Sequence, residues 1–295
     1  MASTRESAAS AASPNAEAIE AWDGPLYDRF ERFRPIVTSG LGNHGEAALA
    51  LFPPSSGQRV LDIGCGFGDT TTRIAGLVGP SGEVTGVDVA PRFIETARRE
   101  AAETATENVR FAVADVQTDP LGGPYHMAFS RFGTMFFANP VAALRNVRNA
   151  LVPGGRLVMV VWRRRTDNDW LYRAQTIVEQ IVSRPDEYDE PTCGPGPFSM
   201  ADADTVSEVL QHAGYRDISL TRSDLPILIG HDIEEAIEIV TSLGPAGEIL
   251  RLSGDRAAHL HEKVHSALRA GMADFDDGSG VRAPSSTWIV SAAAP

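Results

Sequence analysis

Cysteine is nearly absent from this chain. Two occur in 295 residues, Cys65 and Cys193. Cys65 sits between two glycines, a poor place for a structural disulfide, and such sparse cysteine fits a reducing compartment. Long apolar runs are missing too. No stretch approaches the roughly 20 residues of a membrane span. Residues 1–15 are rich in Ala and Ser without a long apolar run. They are expected to form a disordered tail, not a secretory signal. Basic residues are in the minority, with 26 Lys and Arg against 39 Asp and Glu and a formal net charge of -13. Phosphate contacts need a basic surface, so this balance disfavours nucleic acid as the main partner. Arg163-Arg164-Arg165 is the local exception, and it reads as a solvated loop after a strand. There is no internal repeat. The expectation is a soluble cytoplasmic protein, with a homodimer left open. Its 43% hydrophobic content supports one large domain, or a domain with a cap.

What is present begins with a glycine turn. Val60-Leu61-Asp62-Ile63-Gly64-Cys65-Gly66-Phe67-Gly68 joins an apolar run to glycines at every second position. Asp69-Thr70-Thr71-Thr72 follows, where a helix would start. Glycine lets a ligand approach backbone that a Cβ would block. The spacing is G-x-G-x-G and not the G-x-G-x-x-G of a dinucleotide site.

Around this turn an alternation predicts a parallel sheet covered on both faces. Strands are expected at 59–63, 83–88, 109–114, 126–130 and 156–162. Helices are expected at 69–78, 91–103 and 140–151, the last broken by Pro153-Gly154-Gly155. Before them, 16–33 reads as helix interrupted at Gly24-Pro25, and 43–51 as helix. Beyond Trp162, helices are expected at 169–183, 201–213, 232–243 and 246–272. Strands are expected at 217–221, resuming near Ile227, and at 287–292. Residues 184–198 read as a Pro/Gly-rich loop. Helices between the last two strands form an expected cap over the active face.

Ligands of open α/β sheets bind beyond the carboxyl ends of the strands. Asp88, 20 residues after Gly68, ends the second strand, where an acid can take both hydroxyls of a ribose. Asp115 ends the third and can accept from an exocyclic amine, with Val116 flanking a purine ring. Ser130-Arg131-Phe132-Gly133 ends the fourth, where a cofactor's reactive end is expected.

Together these residues resemble the class I S-adenosylmethionine-dependent methyltransferases over about residues 43–162. Val60–Gly68 looks like that family's first motif, Asp88 like its ribose-binding acid and Asp115 like its adenine-amine acceptor. Leu151-Val152-Pro153-Gly154-Gly155-Arg156-Leu157 looks like the turn before its fifth strand. A narrower resemblance is to bacterial small-molecule methyltransferases similar to the ubiquinone/menaquinone biosynthesis enzymes. It rests on Ser130–Phe137, Asn168-Asp169-Trp170, Gly194-Pro195-Gly196-Pro197-Phe198 and Trp288-Ile289-Val290. One departure is Tyr125-His126, where these proteins often have an acid.

The resemblance implies an α/β, Rossmann-like sheet of seven strands, the last antiparallel, with helices on both faces. The methyltransferase domain would span 16–295, with its core at 43–162, 200–230 and 285–295. Residues 16–42 would form a helical lid, and 163–199 and 231–284 the cap and insertions. S-adenosyl-L-methionine would be the cofactor, no metal is expected, and the partner would be a small, apolar or aromatic acceptor. O- or C-methylation fits best, with N-methylation left open. The rival functions are a non-catalytic cofactor-binding or regulatory protein of the same fold, and an NAD-dependent oxidoreductase. The absent G-x-G-x-x-G argues against the latter.

The cofactor-binding candidates are Asp62, Gly64, Cys65, Gly66, Gly68, Asp88, Val89, Asp115, Val116, Ser130 and Arg131. Asp62 is expected to act indirectly by holding the loop. Thr70 to Thr72 cap the first helix or touch the cofactor's carboxylate end. Arg131 orients a substrate acid or the cofactor carboxylate, or else makes an ion pair at the sheet edge. His44 and Arg131 are the catalytic candidates, with a capping role the rival for His44. His126 reads as packing. His259, His261 and His265 suggest a metal cluster, but no cysteine or clear carboxylate completes it and a solvated face is preferred. Trp22, Tyr27, Phe132, Trp162 and Trp170 are pocket candidates. Trp22, Tyr27, Phe30 and Phe33 would form the lid, with core packing as the rival reading.

Overall fold

The computed structural model describes residues 16–183 and 195–295. The expected tail at 1–15, Cys193 and most of the 184–198 loop lie outside them.

The chain enters through α1 (Ala16–Ala21), a wider turn at Trp22–Leu26 and α2 (Tyr27–Arg32). Gly24 leaves helical geometry there (φ −120, ψ −109), and Pro25 follows it. α3 (Arg34–Leu51) is nine residues longer at its start than expected, with proline in its first turn. Then come β1 (Arg59–Ile63), α4 (Asp69–Val78), β2 (Glu83–Asp88), α5 (Pro91–Glu103), β3 (Val109–Val113), β4 (Tyr125–Arg131), α6 (Pro140–Asn149) and β5 (Leu151–Trp162). α6 is capped by the Asn139 side chain, which accepts from Ala142 N–H at 3.0 Å. β5 starts at Leu151 and not at 156. The backbone at Gly154 and Gly155 pairs with Ala294, which carries the ladder through the Pro-Gly-Gly turn.

The remaining elements are α7 (Asp169–Glu179), α8 (Ala203–Ala213), β6 (Arg216–Gly230), α9 (Ile233–Leu243), α10 (Pro245–Ser253), α11 (Asp255–Ala258), α12 (His261–Met272) and β7 (Val281–Ala293). β6 is one strand of 15 residues. It tolerates Pro226 because it pairs only with β7, and an edge strand needs no outward N–H. Four helices, not two, separate β6 from β7, because the expected long helix is broken twice, at Gly254 (φ 50) and at His259-Leu260.

The sheet runs β3-β2-β1-β4-β5-β7-β6. β7 is antiparallel to both neighbours and the first five strands are parallel. This is the seven-stranded sheet with an antiparallel last strand that the resemblance implied. Side chains alternate across it. Leu157, Met159 and Val161 of β5 join the core under α6–α10. Val158 and Val160 join the core under α3 and α4. Strand order reverses between β1 and β4, which opens a crevice beyond their carboxyl ends. Among the described residues, no helix is long and apolar enough to cross a membrane.

Candidate functional site

A cavity of about 620 Å³ lies at that crevice, within the span of small-ligand sites, roughly 300–1,000 Å³. Its polar end is the glycine turn. Gly64, Gly66 and Gly68 have φ of 65°, 53° and 81°, a conformation that a Cβ disfavours. At Gly64 a Cβ would also stand 3.0 Å from Gly133 Cα. The turn hangs on β2, because Val87 carbonyl accepts from the N–H of Gly64 at 2.8 Å and of Cys65 at 3.1 Å. Asp88 accepts from Gly66 N–H on one oxygen and Ala90 N–H on the other, each at 3.0 Å. A carboxylate has about four acceptor positions, so capacity remains for a ligand diol. Burial raises the Asp88 pKa, and the backbone N–H bonds oppose the rise.

Val89, Asp115 and Val116 continue this wall. Asp115 accepts from Gln117 N–H at 2.9 Å, which fixes its carboxylate. Cys65 also lines the cavity, and burial pushes its thiol well above its ordinary pKa, so it stays protonated.

The other end is apolar. Phe132 lies stacked on Trp162, with centroids 4.3 Å apart, and Trp162 meets Trp170 edge-on at 6.3 Å. Phe132 holds this position at φ 62°, a strained conformation for a bulky residue. Ile36 and Leu41 of α3, Ile227–Ile229 of β6, Leu243 of α9 and Leu252 of α10 extend the wall. Trp22 packs edge-on to Phe136 at 4.9 Å, and both line the cavity.

Arg131 lines the cavity where the two ends meet. Its Nε donates to Thr70 Oγ1 at 3.1 Å, and its stem lies against Gly45, where a Cβ would come 2.9 Å from Arg131 Cδ. Burial lowers its pKa, with Asp62 and Asp69 acting in the opposite direction.

Phe33, which packs in the core, and Thr70 to Thr72 do not line the cavity, nor do five of the cofactor, catalytic and pocket candidates. Asp62 is buried and accepts from Thr71 Oγ1 at 2.6 Å, which ties β1 to the first turn of α4. Burial pushes its pKa up to about 7 against the pull of the Thr71 hydroxyl and Arg131. Ser130 is fully buried and donates to Ile63 carbonyl at 2.8 Å, locking β4 to β1. Gly68 makes room for Phe111, whose ring lies 2.8 Å from where its Cβ would be. Tyr27 packs on Phe67 and Phe93, with its hydroxyl 2.9 Å from both Thr96 and Glu31.

His44 is the fifth, and its place on α3 corrects the candidate base. It is fully buried, with Nε2 2.7 Å from Ser285 Oγ and Nδ1 3.1 Å from Thr287 Oγ1. Both ring nitrogens are thus engaged away from the cavity. Burial and Arg131 push its pKa down to about 4, so the ring is neutral at physiological pH. His126 accepts from Arg59 N–H through Nδ1 at 3.1 Å. His265 lies 3.0 Å from Glu234. Among the described residues, no group of three or more His, Cys, Asp or Glu is placed to hold a metal.

Arg34 went unrecognised in the sequence. It lines the cavity, pairs with Asp69 at 2.8 Å and Glu100 at 2.6 Å, and lies 4.3 Å over the Phe67 ring. It joins the start of α3 to α4 and α5. No local signal marks it, because its partners lie 35 and 66 residues away. The Ile227–Ile229 wall had one signal, the apolar run at the end of the expected strand.

Comparison with known proteins adds to this geometry. A family profile described as a methyltransferase domain matches residues 54–215. Aklanonic acid methyltransferase DauC of Streptomyces sp. (strain C5) is 35% identical over 136 residues, 44% of this chain and 57% of that protein. The ubiquinone/menaquinone biosynthesis C-methyltransferase UbiE of Ectopseudomonas mendocina is 34% identical over 135 residues, 45% of this chain and 53% of that protein. The chain thus spans about half the length of these curated relatives. Among solved structures, phosphoethanolamine N-methyltransferase 2 of Haemonchus contortus, in complex with S-adenosyl-L-methionine, superposes with a TM-score of 0.55. It is 15% identical, with 98% of this chain and 61% of that one covered. The YcgJ protein of Bacillus subtilis gives a TM-score of 0.54 at 16% identity, covering 85% of this chain and 97% of that one. Likeness at such identity concerns the fold alone.

Proposed function

The chain belongs to the class I S-adenosylmethionine-dependent methyltransferases, and from that premise we propose that it methylates a small, apolar or aromatic acceptor on oxygen or carbon. One observation carries the reading. The Asp88 carboxylate is held by two backbone N–H groups beside left-handed glycines, and it faces a cavity whose far end is aromatic. Asp88 would hold the ribose hydroxyls, Asp115 the adenine amine and Val116 the ring face. Gly64 and Gly66 would let the amino-acid part approach the backbone. Asp62 and Ser130 would act through the loop, by fixing β1, β4 and α4 to one another. When bound, the cofactor supplies a methyl group made electrophilic by its sulfonium charge. The protein's share is alignment and exclusion of water by Phe132, Trp162, Trp170 and the lid residues Trp22 and Phe30.

The acceptor class rests on the composition of the far wall, which is aromatic and aliphatic. The names of the two curated relatives point the same way, one to aklanonic acid and the other to C-methylation in quinone biosynthesis. Calorimetric titration with S-adenosylhomocysteine tests the reading. Binding is expected, and Asp88→Ala should weaken it by about tenfold or more, since hydrogen bonds to a charged group contribute ~1.5–3 kcal/mol. Absence of binding to the parent protein sinks the proposal. Binding without product from any of a panel of phenols, enols and aromatic acids would make this a cofactor-binding protein of the same fold.

A further inference from the structure

A proton-bearing nucleophile needs a base, and among the described residues this cavity offers no unengaged one. Four carboxylates of the described residues line it, each engaged. Asp69 pairs with Arg34, Asp88 accepts two backbone N–H groups, Asp115 accepts from Gln117, and Glu248 pairs with Arg251 at 2.6 Å. Among the described residues, no histidine, lysine or tyrosine lines it.

The wall does present a cation with spare donors. Arg29 donates to Ser242 carbonyl, and Arg34 is held by two carboxylates. Arg131 differs from both. Thr70 holds its Nε, Gly45 abuts its stem, and no hydrogen bond or ion pair among the described residues engages its two terminal nitrogens. The acids in its field are Asp62 and Asp69, hydrogen-bonded to Thr71 and Arg34 respectively. The neutral His44 ring lies in the same field, with both nitrogens occupied. A guanidinium with two free parallel donors suits a carboxylate-like oxygen pair. Its chain neighbour is Phe132, the start of the aromatic wall.

Resting on the reading above, we propose that Arg131 binds an anionic oxygen of the acceptor, and that this cavity methylates oxygen acids that arrive already ionised on an apolar ring system. A carboxylate, or an acidified enol or phenol, meets that description. The acceptor's lone pair forms the bond to the methyl carbon, and the carbon–sulfur pair stays with sulfur. The anion and the sulfonium end as two neutral groups. No proton moves, so no protein base is required.

The same guanidinium chemistry would also suit the cofactor's own carboxylate, and binding measurements separate the two sources. Calorimetry on the parent and on Arg131→Gln would use 2-naphthoate, the neutral 2-naphthamide, and S-adenosylhomocysteine with its decarboxylated analogue. The two naphthyl probes are titrated into protein saturated with S-adenosylhomocysteine, and S-adenosylhomocysteine and its decarboxylated analogue into ligand-free protein. The expected result is a loss of naphthoate affinity of about tenfold or more in Arg131→Gln. Naphthamide and S-adenosylhomocysteine affinities should stay within about twofold, and Arg131→Lys should recover part of the naphthoate loss. Equal binding of acid and amide to the parent, or no naphthoate binding at all, overturns the proposal. So does a variant that loses S-adenosylhomocysteine but not its decarboxylated analogue, which would assign Arg131 to the cofactor. Failure of the parent to bind S-adenosylhomocysteine would instead sink the methyl-transfer reading.

Discussion

The two ends of the cavity are built by different means. The glycine-turn end is backbone, with N–H groups of Gly64, Cys65, Gly66 and Ala90 tied to Val87 and Asp88 within one β-α-β unit. The aromatic end is side chains, gathered from α3, β4, β5, α7, β6 and the helices before β7. A backbone site is set by local conformation and tolerates little change. A side-chain site is set by packing and can be re-cut for another acceptor without disturbing the first.

Substitutions can break that division, and the largest effect is expected at the aromatic end. Trp162→Ala removes a buried ring that touches Phe132, Trp170 and His44. Loss of such a side chain costs roughly 3–5 kcal/mol. Chemical denaturation should show this. If the two ends are separate, the remaining folded protein should keep most of its S-adenosylhomocysteine affinity.

Gly64→Ala comes next. It places a side chain at φ 65° and 3.0 Å from Gly133 Cα. The left-handed strain alone is about 1–2 kcal/mol, and the calorimetric affinity for S-adenosylhomocysteine should fall by roughly an equivalent factor of ten. An unchanged affinity would move the cofactor away from this turn.

Smaller effects concern the supports, and their signs oppose. Asp62 has its pKa raised from 3.8 to about 7, so the folded state binds the proton more tightly. Its contribution is present below the ordinary carboxylate range and is lost as pH rises toward 7. His44 has its pKa lowered from 6.5 to about 4. Its contribution is present above 6.5 and is lost as pH falls toward 4. Thermal midpoints across that window should therefore tilt oppositely in two variants relative to the parent. Asp62→Asn should lose more stability on acidification, and His44→Gln should lose less. Parallel curves for all three proteins would contradict these environments.

The smallest effect is expected outside both ends. Arg73 and Glu46 pair at 2.8 Å with both side chains about half exposed. Arg73→Ala should change stability by no more than about 1 kcal/mol, and leave ligand binding untouched.

Much of the polar end was legible in the chain. β1, α4, β2 and α5 begin and end at the expected residues. Their signals are local: an apolar run, a glycine turn, and a proline at a helix start. The sheet's antiparallel last strand came from the family resemblance. Other features had no local signal. Ser130 bonds to Ile63 carbonyl, so it braces the site from behind. Tyr27 turned out to pack in an aromatic cluster. The length of β6 depended on β7, more than 50 residues later.

By itself the sequence determined the β-α-β frame, the glycine turn and the acids at its strand ends, because backbone conformation and spacing are properties of neighbouring residues. Only the tertiary structure decided which side chains reach the cavity. His44 is turned into the core against Ser285 and Thr287, 241 and 243 residues on. Among the described residues, nothing engages the terminal nitrogens of Arg131. Those outcomes depend on packing between distant elements, and packing is not written in any one stretch of chain.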